Sequence, residues 1–269
     1  MSVPNPPNET KRDRPALLPI WAQRTAFTAL FLLIWELYGR QVNTLLMSYP
    51  TEIAATFVAM IREPELWNAI VASAQPFIYG LLLAVVVGVV VGVLMGRFRI
   101  FDIALAQPVN AIYVIPPVAL IPMIMMWFGL GLQAKTFIVF LVGVFPILYN
   151  TYDGTRSVSR HLVEIAYAHG ANEWQVFRDV TLFAALPFIM SSFRQGAGRA
   201  LIGLIVAELF TSLSGLGALV ALYSNTLETA KLFVVVILLG MVGMLLMAFG
   251  EWLERRFAPW KQSERAWEA

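Results

Sequence analysis

The sequence predicts an all-α integral membrane protein with about six transmembrane helices, and three observations support this fold class. First, 59% of the 269 residues are hydrophobic, 13% are charged and the mean hydropathy is +0.71. A soluble domain carries about a quarter charged residues, so this chain lacks the polar surface that water requires. Second, long apolar stretches recur along the chain. Third, none of these stretches alternates apolar with polar residues.

Six apolar stretches are expected to cross a hydrocarbon core of about 30 Å. They cover approximately residues 24–38, 69–95, 103–128, 136–149, 182–213 and 232–249. The first has the shortest apolar run, and Glu36 lies near its end. Backbone amides cannot stay unpaired in lipid, so the spans are helices or parts of a closed barrel. Because barrel strands alternate with a period of two, the long apolar runs favour helices.

The basic residues predict the orientation of the chain, since they concentrate in the segments that remain in the cytoplasm. With a cytoplasmic N-terminus, residues 1–23 form a cytoplasmic tail, 24–250 a transmembrane domain and 251–269 a second cytoplasmic tail. The basic residues are then divided unequally between the two predicted sides. The cytoplasmic side carries Lys11, Arg12, Arg14, Arg24, Arg97, Arg99, Arg156, Arg160, Arg178, Arg255, Arg256, Lys261 and Arg265, and the outer side carries Arg40, Arg62, Lys135 and Lys231. Both termini are therefore expected in the cytoplasm.

Two proline-containing segments interrupt the predicted bundle. Pro50 opens a segment with helical apolar spacing that Pro64 ends, which predicts a short helix on the outer surface. In the third span, Pro116, Pro117 and Pro122 each remove a backbone hydrogen bond and predict a kink. Such a site is tolerated in a membrane where protein or a water-filled cavity covers the freed carbonyls. The third span is therefore expected to line the centre of the protein.

Residues 152–181, between the fourth and fifth spans, form the longest segment on the predicted cytoplasmic side. Their apolar residues recur at helical spacing on either side of a break at Gly170, Ala171 and Asn172. The pattern predicts two short helices that are joined at Gly170 and project from the membrane. A projection of this kind fits a groove on a partner protein.

This segment resembles the EAA loop of permeases from bacterial ATP-binding-cassette (ABC) importers. The family pattern is Glu-Ala-Ala, three residues, Gly, nine residues and Ile-x-Leu-Pro, and residues 164–170 and 180–182 match its spacing. Ile165 replaces the first Ala of the pattern, and Phe183 replaces the Pro. The resemblance implies a type I importer permease bundle in which this loop docks on a separate ATPase. The positions implied to couple to the ATPase are Glu164, Ile165, Ala166, Gly170 and Ala171.

Further segments resemble the nitrate, sulfonate and taurine branch of these permeases, namely residues 49–51, 127–131, 145–151, 198–203 and 207–210. The resemblance implies a bacterial inner-membrane protein that imports a small anionic nutrient. It also implies three kinds of protein partner: a second permease chain, identical or similar, two ATPase subunits that bind ATP and Mg, and a periplasmic or lipid-anchored binding protein. No cofactor is expected on this chain.

Several residues within the spans are candidates for the transport path or its gate, each with a structural alternative. A buried charge costs about 2.5–3.5 kcal/mol on insertion scales and therefore usually faces a cavity or a partner. Arg199 alternatively extends its charge to the cytoplasmic interface. It lies on the opposite helix face from Glu208, so the two cannot pair within one helix. The full set of path or gate candidates is Pro116, Pro117, Met123, Met126, Arg199 and Glu208, with ordinary core packing as the alternative for the methionines.

The sequence carries none of the motifs that would predict enzymatic activity. It has no phosphate-binding Gly-x-x-x-x-Gly-Lys-Ser/Thr loop, no catalytic triad motif and no zinc-binding motif. It also lacks cysteine, so no thiolate site is predicted. A formal charge of +2 gives no indication of nucleic-acid binding. The alternative to an ABC permease is a secondary transporter driven by an ion gradient, although the repeated halves and mid-membrane ion site of such proteins are not evident.

Overall fold

The computed structural model describes residues 19–43, 45–211 and 214–257, and these ranges contain helices and connecting turns without strands. The predicted N-terminal tail and the last residues of the predicted C-terminal tail lie largely outside them. The helices are α1 (Ile20–Gly39), α2 (Pro50–Met60), α3 (Pro64–Arg97), α4 (Arg99–Val114), α5 (Pro117–Phe128), α6 (Leu132–Arg156), α7 (Arg160–Ala168), α8 (Glu173–Gln175), α9 (Leu182–Thr211), α10 (Leu216–Asn225) and α11 (Thr229–Phe257). A π-helical turn, Val176–Thr181, joins α8 to α9.

Among the described residues, four helical stretches are long and apolar enough to cross a membrane, and α4 with α5 adds a fifth if the pair forms one span. The four are α3, α6, α11 and the continuous helical path of residues 173–211. The predicted first span, α1, is not among them, because Gln23, Arg24 and Glu36 lower its hydropathy. The all-α membrane fold is confirmed, with four to five spans rather than six by this criterion.

The centre of the bundle is the packing of α3 on α6 and of α6 on α9. A stripe of glycines on α3 faces α6. A β-carbon added at Gly92 would lie 2.7 Å from the carbonyl oxygen of Leu148, and one added at Gly96 would lie 2.6 Å from Cβ of Thr155. Small residues allow backbones in lipid to approach closely, so the stripe brings α3 against α6. The main apolar core lies along this contact.

The third predicted span is broken rather than kinked. Helix α4 ends at Val114, α5 begins at Pro117, and the two axes differ by 96°. Pro116 and Pro117 supply no amide hydrogens, so the ladder of helical hydrogen bonds cannot continue through them. Ile121 and Ile124 of α5 are almost completely buried in the main core. The predicted distortion is therefore confirmed, and it is larger than a kink.

On the predicted outer side, α2 and α10 are short helices packed against α11. The predicted short helix after Pro50 is confirmed as α2, and its place on the outer surface stays a prediction. Its first turn is tied to α1, because Glu36 accepts hydrogen bonds of 3.0 Å from the amide of Thr51 and 2.7 Å from its hydroxyl. Arg40 lies 2.7 Å from the same carboxylate. Glu36, which lowers the hydropathy of the first apolar stretch, thus binds the first turn of α2 to α1.

Helical structure extends beyond the limits predicted for two of the spans. Helix α11 continues past residue 250 to Phe257, so the predicted C-terminal tail begins inside a helix. Lys135, which the charge pattern predicts on the outer side, lies in the first turn of α6 with its side chain only 4% exposed. Its long side chain reaches Ser214 and donates hydrogen bonds to the carbonyl oxygen at 2.7 Å and to the hydroxyl at 3.0 Å. Such partners satisfy a buried ammonium group.

Candidate functional site

Residues 152–181, which we call the coupling segment, fold as two short helical pieces around Gly170. The α7 helix ends at Ala168, and Gly170 has a φ of +83°, a conformation that L-residues with a side chain disfavour. The amide of Ala171 closes the turn by donating to the carbonyl of Ala166 at 3.0 Å. Asn172 then begins α8 with a capping box shared with Gln175. The break and the two helices predicted from the sequence are confirmed.

The coupling segment presents its predicted contact residues at the surface of the chain. Glu164 and Gly170 are exposed, and a β-carbon at Gly170 would have no heavy atom within 4 Å. Ile165 is 42% exposed, and with Ala166 it lines an apolar cleft of about 860 Å³ between α7 and the start of α9. Glu164 does not line this cleft. The motif therefore presents a carboxylate and an apolar surface in different directions.

A polar and aromatic contact fastens the coupling segment to the end of α3. Arg97, the last residue of α3, donates a 2.8 Å hydrogen bond to Glu173, and the Tyr167 hydroxyl donates to the same carboxylate at 3.1 Å. The ring of Phe177 lies 6.2 Å from that of Phe98 and 5.5 Å from that of Trp174. We call the Arg97–Glu173 ion pair the strut. It links the coupling segment directly to α3, which packs in the centre of the bundle.

The segment also continues into the membrane without a break in helical structure. The helical path runs over residues 173–211, and the π-helical turn accommodates the change from α8 to α9. Phe183 stands where the family pattern has proline, so the amide needed for helical hydrogen bonding is retained. The start of α9 at Leu182 agrees with the prediction. A displacement of α8 can therefore reach α9 along continuous helical structure.

Arg199 lines a cleft of about 790 Å³ that is bounded by α4, α6, α9 and α11. A smaller, mainly apolar cleft of about 170 Å³ adjoins it and shares Arg199, Tyr113 and Pro146. The polar residues that line the larger cleft are Asn110, Tyr113, Tyr149, Asn150, Asp153, Arg194, Gln195 and Arg199. Of the path candidates named from the sequence, Arg199 is the one in this cleft.

The other candidates of the third span lie at the break and along α5. Pro116 precedes the first residue of α5, Pro117. Met123 is 39% exposed and Met126 is 86% exposed, so both side chains point away from the main core of this single chain. The structure therefore does not bring the methionines together with Arg199. Their role in a path or gate stays a prediction.

Glu208 occupies a different environment from the one expected of a path residue, because its side chain is 0% exposed. It accepts hydrogen bonds from the Ser73 hydroxyl at 2.8 Å and from the Gly217 amide at 2.8 Å, and it lies 4.0 Å from the Lys135 ammonium group. These partners belong to α3, α10 and α6. A β-carbon on Gly215 would lie 2.0 Å from the carboxylate. Glu208 thus joins four helices, and its part in a path or gate stays a prediction.

Sequence reasoning missed several of these contacts. Nothing in the local pattern pairs Arg97 with Glu173, because the two lie 76 positions apart. Lys135 at the edge of an apolar stretch was a usable signal, since a charge in a span indicates a partner or a cavity. The Gly215-Leu216-Gly217 sequence was another, because such glycines permit close approach. No group of three or more His, Cys, Asp or Glu in the described ranges is arranged for a metal ion.

The apolar helices of the described residues define a multi-pass membrane protein. The chain belongs to the binding-protein-dependent transport system inner membrane component family, the permeases of ABC importers, whose sequence profile matches residues 84–260. A structural alignment with a chain of the inward-facing MetNI methionine ABC transporter covers 73% of this chain and 99% of that chain. The TM-score is 0.58 and the sequence identity is 23%. That likeness supports the fold alone.

Curated relatives extend the similarity over almost the whole chain. A putative aliphatic sulfonates transport permease, SsuC of Bacillus subtilis, is 30% identical over 97% of this chain and 96% of its own length. The riboflavin transport system permease RibX of Chloroflexus aurantiacus is 33% identical over 80% of each chain. The formylaminopyrimidine transport permease ThiX of Halalkalibacterium halodurans is 28% identical over 94% of this chain and 100% of its own. The substrates given in the names of these three relatives differ chemically.

Proposed function

We propose that this chain forms the transmembrane path of an ABC importer for a small anionic nutrient of the sulfonate, taurine or nitrate type. Two such chains, identical or similar, enclose the path, and two separate ATPase subunits grip their coupling segments. A binding protein delivers the substrate. The chain itself carries no ATPase site, and ATP with Mg binds to the partner ATPase.

One observation carries the mechanical part of this proposal, namely the rigid attachment of the coupling segment to the bundle. The strut joins the segment to α3, and continuous helix joins it to α9. When ATP brings the two ATPases together, the attached segments move with them. Since α3, α6 and α9 pack closely, that movement reaches the cleft around Arg199. Alternating access follows from rigid elements that shift against one another.

The proposed orientation places both termini and the coupling segment in the cytoplasm of a bacterium, with the chain in the inner membrane. The binding protein then docks on the opposite side, on residues 49–67 and 212–229, which include α2 and α10. The anionic substrate is supported by the resemblance to the sulfonate branch and by the similarity to SsuC. The riboflavin and formylaminopyrimidine permeases show how far substrates differ among relatives.

The proposal is tested by reconstituting the chain with its cognate ATPase and binding protein in lipid vesicles. Uptake of ethanesulfonate, taurine and nitrate is measured with and without ATP and with each protein omitted. We expect uptake of one of these anions that requires ATP and all three proteins. Uptake driven by an ion gradient without the ATPase would instead establish a secondary transporter.

A charge reversal in the coupling segment tests the docking of the ATPase. Glu164→Lys is expected to lower co-purification of the ATPase and uptake by at least about tenfold, since like charge or a lost partner weakens a docking contact. Glu254→Lys in α11 makes the same change outside the segment and is the matched control. Unchanged assembly in the Glu164 variant would contradict the proposed role of this residue.

A further inference from the structure

The cleft bounded by α4, α6, α9 and α11 contains two arginines that face it from one helix. Seventeen residues separate Leu182, the start of α9, from Arg199, which is about 26 Å along a helix axis. Arg194 lies five residues earlier and lines the same cleft. In the single chain Arg199 is exposed and Arg194 is partly buried, and both side chains line the cleft rather than the main core.

Neither arginine has a counter-ion within the part of the chain that the structure describes. The basic residues with described ion pairs lie elsewhere, and no hydrogen bond from Arg194 or Arg199 to a described residue is present. Asp153 is the one acidic residue among those that line the cleft. The lining thus carries two positive groups against one negative group. A cleft that is lined by an excess of positive charge favours an anion as its occupant.

The remaining polar groups of the cleft are arranged as neutral hydrogen-bonding pairs between helices. The Tyr149 hydroxyl of α6 donates to Oδ1 of Asn110 in α4 at 2.5 Å, which leaves the Asn110 amide nitrogen to donate elsewhere. Asn150 of α6 and Gln195 of α9 exchange hydrogen bonds of 3.3 and 3.4 Å through their amides. These pairs fix the walls and add donors without adding charge.

We propose that this cleft is a binding subsite for the transported anion, in which the Arg199 and Arg194 guanidinium groups hold a sulfonate or carboxylate head group. Guanidinium groups present paired N–H donors that match such oxygens. The Asn110 and Gln195 amides supply further donors, and the apolar cleft beyond Arg199 takes the uncharged part of the molecule. The volume of about 790 Å³ holds a small organic anion together with water. This assignment rests on the proposed function, and it names the residues that would recognise the substrate.

The electrostatic part of the proposal is testable without knowing the substrate, because the natural chain contains no cysteine. Ile202→Cys places a single thiol at the cleft, and Asn225→Cys places one at the exposed end of α10. The full chain in detergent is treated with anionic and with cationic methanethiosulfonate reagents of similar size. The ratio of the two reaction rates is divided by the ratio for a free thiol in solution.

We expect the anionic reagent to be favoured at Ile202→Cys by about tenfold, since a cleft lined by one sign of charge concentrates the opposite ion. The preference is expected to disappear with Arg199→Gln, to fall with Arg194→Gln, and to remain with Arg199→Lys, which keeps the charge. Arg24→Gln removes an exposed arginine of α1 and should change nothing. Asn225→Cys should show no preference. Equal rates at Ile202→Cys, or a preference that survives both glutamine variants, would overturn the proposal.

Transport measurements then link the cleft to the substrate. In vesicles with the ATPase and binding protein, Arg199→Gln is expected to lower uptake of the accepted anion at least about tenfold. Normal uptake in that variant would reject the subsite. Failure of the wild-type chain to transport with an ATPase would reject the proposed function, whereas the thiol result would still report on the cleft.

Discussion

At the scale of single residues, Gly170 shows how one backbone conformation shapes the coupling segment. Its φ of +83° turns the chain between α7 and α8, and open space surrounds the position of a β-carbon. Gly129, between α5 and α6, has a φ of +75° and equally open surroundings. The two glycines therefore share the same conformational requirement in different parts of the molecule.

Gly170→Ala is expected to cost about 1–2 kcal/mol, because a side chain disfavours the left-handed conformation. The strain falls on the turn of the coupling segment, so co-purification of the ATPase should decrease. Gly129→Ala should cost a similar amount in thermal unfolding but leave ATPase binding intact. Equal assembly in both variants would show that the turn does not position the coupling helices.

Glu208→Ala tests the buried cluster of Glu208, Lys135, Ser73 and Gly217. Removing one member of a buried pair is expected to destabilise the protein by about 3–5 kcal/mol, because the buried Lys135 charge loses its counter-ion and keeps only the neutral oxygens of Ser214 as partners. Thermal unfolding in detergent, followed by tryptophan fluorescence, measures the effect. Glu251→Ala removes an exposed carboxylate that pairs with Arg255 and should change stability little. A small effect at Glu208 would mean that other groups satisfy the cluster.

At the scale of helices, the contact of α3 with α6 depends on glycines that bring two backbones together. Gly92→Ala is expected to destabilise the bundle by about 1–3 kcal/mol, because its methyl group would meet the Leu148 carbonyl. Gly240→Ala in α11 meets no heavy atom within 4 Å and should be neutral or stabilising by up to about 1 kcal/mol. Thermal unfolding of both variants compares the same substitution at a packed and an open site.

The strut makes a prediction about coupling rather than stability. Its Glu173 side chain is 81% exposed, so loss of the ion pair should cost less than about 1 kcal/mol. Glu173→Gln should nevertheless reduce the stimulation of ATPase activity by the binding protein, while unstimulated activity remains. Arg178→Gln breaks the exposed pair with the adjacent Asp179, which links no two elements, and serves as control. Unchanged stimulation in the Glu173 variant would assign coupling to α9 alone.

At the scale of the whole molecule, the distribution of basic residues predicts which end of the bundle faces the cytoplasm. In the cysteine-free chain, Asn225→Cys should react with a membrane-impermeant thiol reagent in intact spheroplasts. His169→Cys, next to Gly170, should react only after the membrane is opened. The opposite labelling pattern would show that the orientation is the reverse of the predicted one. The coupling segment would then lie outside the cytoplasm, where a cytoplasmic ATPase cannot bind it.

The sequence by itself determined the membrane class, the helical content and the coupling segment, because hydropathy, glycine breaks and motif spacing are local properties of the chain. It also indicated the distortion at Pro116 and Pro117. Tertiary structure decided which charges meet. The partners of Glu208, the burial of Lys135, the strut and the cleft of Arg194 and Arg199 all depend on helices distant in sequence. Pairing energies of that kind depend on distance and burial, which residue patterns do not contain.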